Sequence, residues 1–310
     1  ELLLARHDST LQCVNEDGTT RFLFQPAKER ATNSMLQLAT NSATQVFTAN
    51  TGDIDGKLTL VSTGDQRLHA VEPNGNRRWM FWSYAGLFTT QGLYDLDGDG
   101  DKEVIGGNGR VSSADPLFFL DDDKPRNDGF RGFTRRILND GWGATLSSMA
   151  IADFDGDGTD EIAIGTGKGN LHLIDPHQTD GPIRNKPEYR WTRQLGDDVR
   201  AMLAIEAAGR PLIVAASLSG FVVTFDANGD KQWSTSLDAP VYFLDAFRVD
   251  GSVRLIAALK DGGVVVLNQA GEIVQRGHIG AIPTTMAIAD QLVAVATGDG
   301  VVHAFAVSGN

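Results

Sequence analysis

The stretch that decides the fold reads EIAIGTGKGNLHLID from Glu161 to Asp175, and Tyr189-Arg190-Trp191 follows after a longer loop. Two short apolar runs, each about as long as a β-strand, are joined by a glycine turn, and the second run ends in an acid. A third run, which contains Trp, closes the unit. The pattern predicts a small antiparallel unit built from short β-strands.

The same unit recurs along the whole chain. One copy reads LIVAASLSGFVVTFDANGDKQW from Leu212 to Trp233, and another reads LTLVSTGDQRLHAVEPNGNRRW from Leu58 to Trp79. The first strands of the units start near residues 2, 58, 103, 161, 212, 255 and 292, which are 37 to 58 residues apart. Seven units of this size predict an all-β fold, a seven-bladed β-propeller of mostly four-stranded blades.

The blades are predicted to form a single domain over residues 1–310. Their approximate spans are residues 1–42, 43–90, 91–147, 148–198, 199–238, 239–282 and 283–310. The first and last blades are incomplete, since the first starts at its second strand and the last stops without an outer strand. A long apolar edge along residues 301–307 is a feature that folded proteins avoid. We therefore expect the chain to be a segment of a longer protein, or to gain a strand from another chain by β-augmentation.

Two nine-residue acidic loops, Asp95–Glu103 and Asp153–Glu161, carry the most specific chemistry of the sequence. Each has carboxylates at positions 1, 3, 5 and 9 and glycines at positions 4 and 6, which let the loop coil tightly so that alternate side chains converge. Four hard oxygen ligands and a backbone carbonyl at position 7 suit Ca²⁺. A solvated acidic turn is the alternative, and the repeated spacing favours calcium over it.

These loops are not EF-hands. An EF-hand needs a bidentate acid at position 12, where this chain has Gly106 and Ile164. The flanking runs, such as Met149–Ala152 before the second loop, are short and apolar and are bounded by glycine. They predict a strand-loop-strand arrangement rather than two helices.

The two loops and the strands after them resemble FG-GAP or VCBS repeats, the calcium-binding blades of integrin α-subunits and of many bacterial secreted proteins. The other blades resemble PQQ-like repeats, with Asp226-Ala227-Asn228-Gly229 leading to Trp233 as the best match. The resemblance implies two calcium ions on adjacent blades. The implied ligands are Asp95, Asp97, Asp99, Asp101 (through its carbonyl) and Glu103 in the first loop, and Asp153, Asp155, Asp157, Thr159 (through its carbonyl) and Glu161 in the second.

The net charge and composition of the chain limit the classes of partner that it can bind. The formal charge of −13 argues against nucleic acid and anionic membranes as partners. No run reaches the roughly 18 apolar residues of a membrane helix. Cys13 is the single cysteine, so no intrachain disulfide can form, and its apolar surroundings predict a small core residue. His69, His172 and His303 occupy equivalent places in three different blades, so they predict a repeated strand position rather than a shared metal site.

Three classes of function stay open. No catalytic set stands out, and the insertion from Asp121 to Trp142 combines charged and aromatic residues that suit a protein or glycan partner. The leading interpretation is a non-catalytic binding or structural propeller at the cell surface, in the periplasm or outside the cell, where millimolar Ca²⁺ fills weak sites. The alternatives are the propeller scaffold of a secreted lyase-like polysaccharide enzyme and, more weakly, a quinoprotein dehydrogenase.

Overall fold

The computed structural model describes residues 2–5, 10–25, 43–49, 58–63, 67–82, 88–95, 102–108, 117–121, 133–138, 146–175, 189–207, 209–289 and 292–306. Every secondary-structure element in these ranges is a β-strand. These residues include no helix that is long and apolar enough to cross a membrane. The strands are four to nine residues long, and consecutive strands pair antiparallel within each sheet. The predicted all-β class is confirmed.

Eleven strands lie in the first of two compact units, where they form three antiparallel sheets. The first sheet contains β1 (Leu2–Ala5), β2 (Leu11–Val14) and β3 (Thr20–Phe24). The second contains β4 (Ala43–Ala49), β5 (Leu58–Thr63), β6 (Arg67–Val71) and β7 (Arg77–Trp82). The third contains β8 (Phe88–Tyr94), β9 (Glu103–Asn108), β10 (Leu117–Asp121) and β11 (Phe133–Leu138).

The second unit holds the remaining strands in four sheets of the same kind. The fourth sheet contains β12 (Leu146–Ala152), β13 (Glu161–Thr166), β14 (Asn170–Ile174) and β15 (Tyr189–Gln194). The fifth contains β16 (Val199–Ala207), β17 (Arg210–Ser217), β18 (Phe221–Phe225) and β19 (Lys231–Ser236). The sixth contains β20 (Val241–Val249), β21 (Ser252–Leu259), β22 (Gly263–Asn268) and β23 (Ile273–His278). The seventh contains β24 (Pro283–Ala289), β25 (Leu292–Thr297) and β26 (Val302–Ala306).

The number of complete blades differs from the sequence prediction. Among the described residues, five sheets have the four strands of a propeller blade, and the first and last sheets have three each. The predicted seven blades are therefore corrected to five complete ones. The repeat count exceeds five because it counts hairpins, and the hairpin pattern recurs whether or not a fourth strand pairs beside it.

Burial follows the position of a strand in its sheet. Every residue of β13, the second strand of its sheet, is buried, because strands flank it on both sides and both of its faces are packed. On β19, a fourth strand, no residue is fully buried, and exposed positions alternate with half-buried ones from Gln232 onward. Between the fourth and fifth sheets lies an apolar cluster that includes Leu173, Trp191 and Phe225. The core of the second unit therefore lies between the faces of successive sheets.

A tryptophan on a fourth strand fastens each of two sheets to the next. Trp191 Nε1 donates to the carbonyl of Ala227 at 2.8 Å, and Trp233 Nε1 donates to the carbonyl of Gln269 at 2.9 Å. The turn that receives Trp233 contains Gly271, whose φ is +79° and where an added Cβ would lie 2.4 Å from the indole. The recurrence of Gly and Trp in the repeat thus reflects close packing of an indole on a neighbouring turn.

Candidate metal centre

The second acidic loop joins β12 to β13 and is described in full. The carboxylate of Asp153 holds the turn: its Oδ1 accepts from Gly156 N at 2.7 Å and Asp157 N at 3.1 Å, and its Oδ2 accepts from Gly158 N at 2.9 Å. Gly156 and Gly158 have φ of +82° and +91°, which favours glycine. The predicted strand-loop-strand arrangement is confirmed here.

The other acids of this loop have separate roles. Asp155 Oδ1 accepts from Asp157 N at 3.1 Å, and Asp157 Oδ1 accepts from Thr159 N at 2.8 Å, so both cap the backbone two residues ahead. Glu161 is fully buried at the start of β13, and its Oε2 accepts from Phe154 N at 2.9 Å. The loop is thereby closed from its first residues to its last.

Three of the predicted ligands come together. Asp153, Asp155 and Glu161 each place one carboxylate oxygen within 4.8 Å of the others. Oxygens that bind the same Ca²⁺ lie about 2.3–2.6 Å from it, so two of them can be at most about 5 Å apart. The three oxygens are therefore close enough together to bind one calcium ion. Asp157 and Thr159 do not belong to this group of three.

Arg190, which the sequence analysis did not single out, lies among these acids. Its Nη1 donates to Asp155 Oδ2, and its Nη2 lies 3.1 Å from Glu161 Oε1 and 3.4 Å from Asp175 Oδ2. The strand register explains the meeting: Ile162 pairs with Ile174, which sets Glu161 opposite Asp175, and Ile174 pairs with Tyr189. Only the pairing of β13, β14 and β15 brings these distant residues together.

Burial and the guanidinium oppose each other at the two carboxyls. Burial raises the pKa of Glu161 to about 7, although the nearby Arg190 charge acts in the lowering direction. The hydrogen bond from Arg190 lowers the pKa of the exposed Asp155 carboxyl. At Glu161 the effect of burial on the pKa is therefore larger than the opposing effect of the Arg190 charge.

The first acidic loop falls largely outside the described residues. Asp95 is half-buried immediately after β8, and Glu103 begins β9. Asp97, Asp99 and Asp101 lie outside the described ranges, as does the tip of the insertion between Asp121 and Trp142. The calcium ligands predicted in this loop stay a prediction.

The remaining sequence predictions concern core residues. Cys13 is buried, which confirms its predicted place in the core. His69 lies on β6 and His172 on β14, the third strands of two different sheets, and both are buried. His172 Nδ1 lies 2.9 Å from Thr192 Oγ1, and its ring stacks on Tyr189 with centroids 4.5 Å apart. His69 instead packs against Phe24 of the first sheet, with ring centroids 5.6 Å apart. The two histidines therefore occupy a repeated strand position and contact different neighbours.

Comparison with known proteins supports the fold. No protein-family model matches this sequence, and no curated protein matches it. Among solved structures, a chain of the Mitotic Checkpoint Complex has a TM-score of 0.71 at 12% identity, covering 99% of this chain and 83% of that one. BBS1N in complex with ARL6DN has a TM-score of 0.69 at 13% identity, covering 97% and 86%. BamB from Moraxella catarrhalis has a TM-score of 0.61 at 16% identity, covering 99% and 80%. These likenesses show that the chain is a β-propeller.

Proposed function

We propose that this chain is a non-catalytic, calcium-stabilised β-propeller that acts outside the cytoplasm as a protein-binding module. One solved neighbour, BBS1N, is in complex with ARL6DN, and another belongs to the Mitotic Checkpoint Complex. Propellers of this shape therefore occur as interaction modules. The calcium part of the proposal rests on the two acidic loops, and the binding part rests on the open edge of the seventh sheet.

Calcium is proposed at both loops. In the second loop, Asp153, Asp155 and Glu161 would supply carboxylate oxygens, and Asp157 and the Thr159 carbonyl lie in the same turn. The first loop has the same spacing and would hold a second ion through Asp95, Asp97, Asp99, Asp101 and Glu103. Bound calcium would offset the repulsion among the carboxylates and so stabilise the loop. Sites of this kind in extracellular modules bind calcium with dissociation constants of about 10⁻⁴–10⁻³ M, which favours a location outside the cytoplasm.

The observation that carries the binding role is the edge of β26. In the complete sheets, a tight turn joins the second and third strands, as in the 3.0 Å bonds from Gly220 N to Ser217 O and from Gly262 N to Leu259 O. The same turn joins β25 to β26, with Gly300 N 3.0 Å from Thr297 O. The strand β26 is therefore a third strand, and no strand within the described ranges occupies the fourth position beside it.

The surroundings of this edge are mainly apolar, with Gln275 and His278 as the polar residues that line the neighbouring cavity. Val302 is 64% exposed on the edge strand. Beside it lies a cavity of about 240 Å³ lined by residues of β22, β23 and β26, including Val266 and Phe305, and by Ile279. An added strand would gain backbone hydrogen bonds from β26, and its alternate side chains would fill the cavity. We propose that the occupant is an extended segment of a protein partner with apolar residues at alternate positions. A strand-shaped site of this kind favours a protein over a glycan.

Hydrogen exchange on β26 tests the binding role. We expect its outward-facing amides to exchange quickly in the isolated chain and to be protected in the intact assembly, because a partner strand would pair with them. Val302→Lys should reduce this protection, since an edge lysine opposes strand addition. Leu23→Lys, a matched change of an exposed residue on β3, should leave it intact. Equal exchange of β26 in the isolated chain and the assembly would refute the proposal.

A further inference from the structure

Arg190 occupies the place where a cation would stand in the second loop. Its guanidinium bridges Asp155 and Glu161, two of the three clustered acids, and extends to Asp175 on the neighbouring strand. The Arg190 side chain is 23% exposed, whereas the Glu161 side chain has no exposed surface. A buried carboxylate without a counter-charge is strongly unfavourable, so this arginine supplies the positive charge beside Glu161 in the absence of metal.

The position of Arg190 follows from a bulge that recurs in the sheets. Leu173 pairs with Trp191 and Ile174 with Tyr189, which leaves Arg190 as the extra residue of β15. The corresponding bulge residues of the other complete sheets and the first sheet are Arg21, Arg78, Arg135, Gln232 and Val274. In the fifth sheet, Gln232 Nε2 donates to Asp226 Oδ2 at 3.0 Å, which shows that glutamine is compatible with this bulge.

The sheet that follows the first acidic loop repeats this arrangement in its register. Val104 pairs with Leu120, which places Glu103 opposite Asp121, and the bulge between the pairs of Phe119 and Leu120 falls at Arg135. Glu103, Asp121 and Arg135 thus have the register positions of Glu161, Asp175 and Arg190. Both sheets with an acidic loop have an arginine at the bulge position, as do the first and second sheets, so the pair of acids opposite the bulge distinguishes these two sheets.

We infer that Arg190 is the resident counter-ion of the second loop and competes with calcium for the carboxylates of Asp155 and Glu161. This inference rests on the proposed calcium site and deepens it. Calcium can bind only when the guanidinium leaves the two carboxylates, so the apparent dissociation constant is the intrinsic one divided by the fraction of molecules with a released Arg190. If that fraction is about one tenth, removal of the guanidinium tightens calcium binding about tenfold.

Calorimetric titration with calcium chloride tests the competition. All variants are made in a background protein that carries Asp97→Ala and Asp99→Ala, so that only the second loop can bind calcium. Arg190→Gln, the residue found at the equivalent bulge in the fifth sheet, should bind calcium more tightly than the background protein, by about tenfold if the released fraction is about one tenth. Arg190→Lys keeps the charge but has no planar fork, so its affinity should lie between the two. Arg200→Gln removes one positive charge at the start of β16, where Ser148 bonds to Val199 near the opposite end of β12 from the loop. It should bind calcium like the background.

Melting in a chelator provides the second readout. Arg190→Gln should melt at a lower temperature than the background without calcium, and saturating calcium should remove the difference. Equal or weaker calcium binding by Arg190→Gln would overturn the inference and leave the calcium site standing. Absence of calcium binding in every variant would instead overturn the calcium part of the proposed function. An unchanged melting temperature of Arg190→Gln in chelator would refute the counter-ion role in either case.

Discussion

His172 is a buried imidazole with a measurable consequence at acid pH. Burial lowers its pKa to about 4, whereas an unfolded histidine titrates near 6.5. Between these values the unfolded chain binds the proton and the folded chain does not, so the free energy of unfolding falls as the pH drops from about 6.5 to 4. The loss attributable to this one group is on the order of 3 kcal/mol.

Replacement of His172 should therefore flatten the acid limb of the stability curve. We expect His172→Gln to reduce the fall in unfolding free energy between about pH 6.5 and 4, measured by urea denaturation at a series of pH values. His278→Gln, which replaces an exposed imidazole at the end of β23, should leave the curve unchanged. If the unfolding free energy of His172→Gln falls with pH as steeply as that of the wild type, burial of His172 does not cause the acid destabilisation.

At the residue scale, the sequence predicts the acids of the second loop but not their counter-charge. The 1-3-5-9 spacing predicts that Asp153, Asp155, Asp157 and Glu161 converge. Oxygens of Asp153, Asp155 and Glu161 do lie within 4.8 Å of one another, whereas Asp157 does not belong to this group. Arg190 is 29 residues from the nearest of these acids along the chain, and its meeting with Glu161 depends on a register with a bulge. No local pattern reports that register, so the ion pair was visible only in the folded sheet.

At the element scale, two glycines with a left-handed backbone differ in the space around them. Alanine variants of the two distinguish the stability lost to backbone strain from the stability lost to a steric clash. Gly251 and Gly271 have φ of +77° and +79°. An added Cβ at Gly251 meets nothing within 4 Å, whereas at Gly271 it would lie 2.4 Å from Trp233. Gly251→Ala should cost about 1 kcal/mol, the price of the backbone conformation alone. Gly271→Ala should cost roughly 1–3 kcal/mol more, because the indole must shift from its place on the turn.

Denaturant unfolding of the two alanine variants gives the comparison. The difference between them should shrink when each is placed in a Trp233→Ala background, since the clash partner is then gone. If Gly271→Ala and Gly251→Ala are equally stable, the indole does not pack as closely on the turn as the structure shows.

The strands and turns themselves were largely predictable from sequence. Alternating apolar runs and Asn-Gly turns place the third and fourth strands, as in the turn from Asp226 to Asp230. The contact between one sheet and the next was not predictable, because the hydrogen bond from Trp233 to the Gln269 carbonyl joins residues 36 positions apart. The sequence shows that a Trp and a Gly recur, and only the packing of successive sheets shows that they touch.

At the scale of the whole molecule, the repeat predicts the propeller class but not the number of complete blades. The sequence repeats identify hairpins, whereas a complete blade also requires a fourth strand. That strand is the most exposed of the four and has the weakest alternation of apolar and polar residues. The exposed residues along β23 illustrate this weak pattern, since no position on it is fully buried. The blade count is therefore a property of strand pairing rather than of periodicity.

Calcium should stabilise the whole fold if the loops bind it. An ion that binds only the folded state adds about 2.7 kcal/mol when its concentration is 100 times the dissociation constant. We therefore expect added calcium to raise the melting temperature and a chelator to lower it, as measured by calorimetry at fixed protein concentration.

Asp153→Ala should remove part of the calcium-induced rise, because Asp153 belongs to the clustered acids. Asp226→Ala is the matched control, since Asp226 accepts from Asn228 N and Asp230 N in a turn of the fifth sheet. It should lower the basal melting temperature and leave the calcium-induced rise unchanged. A melting temperature that ignores both calcium and chelator would show that the acidic loops do not stabilise the propeller through a bound ion.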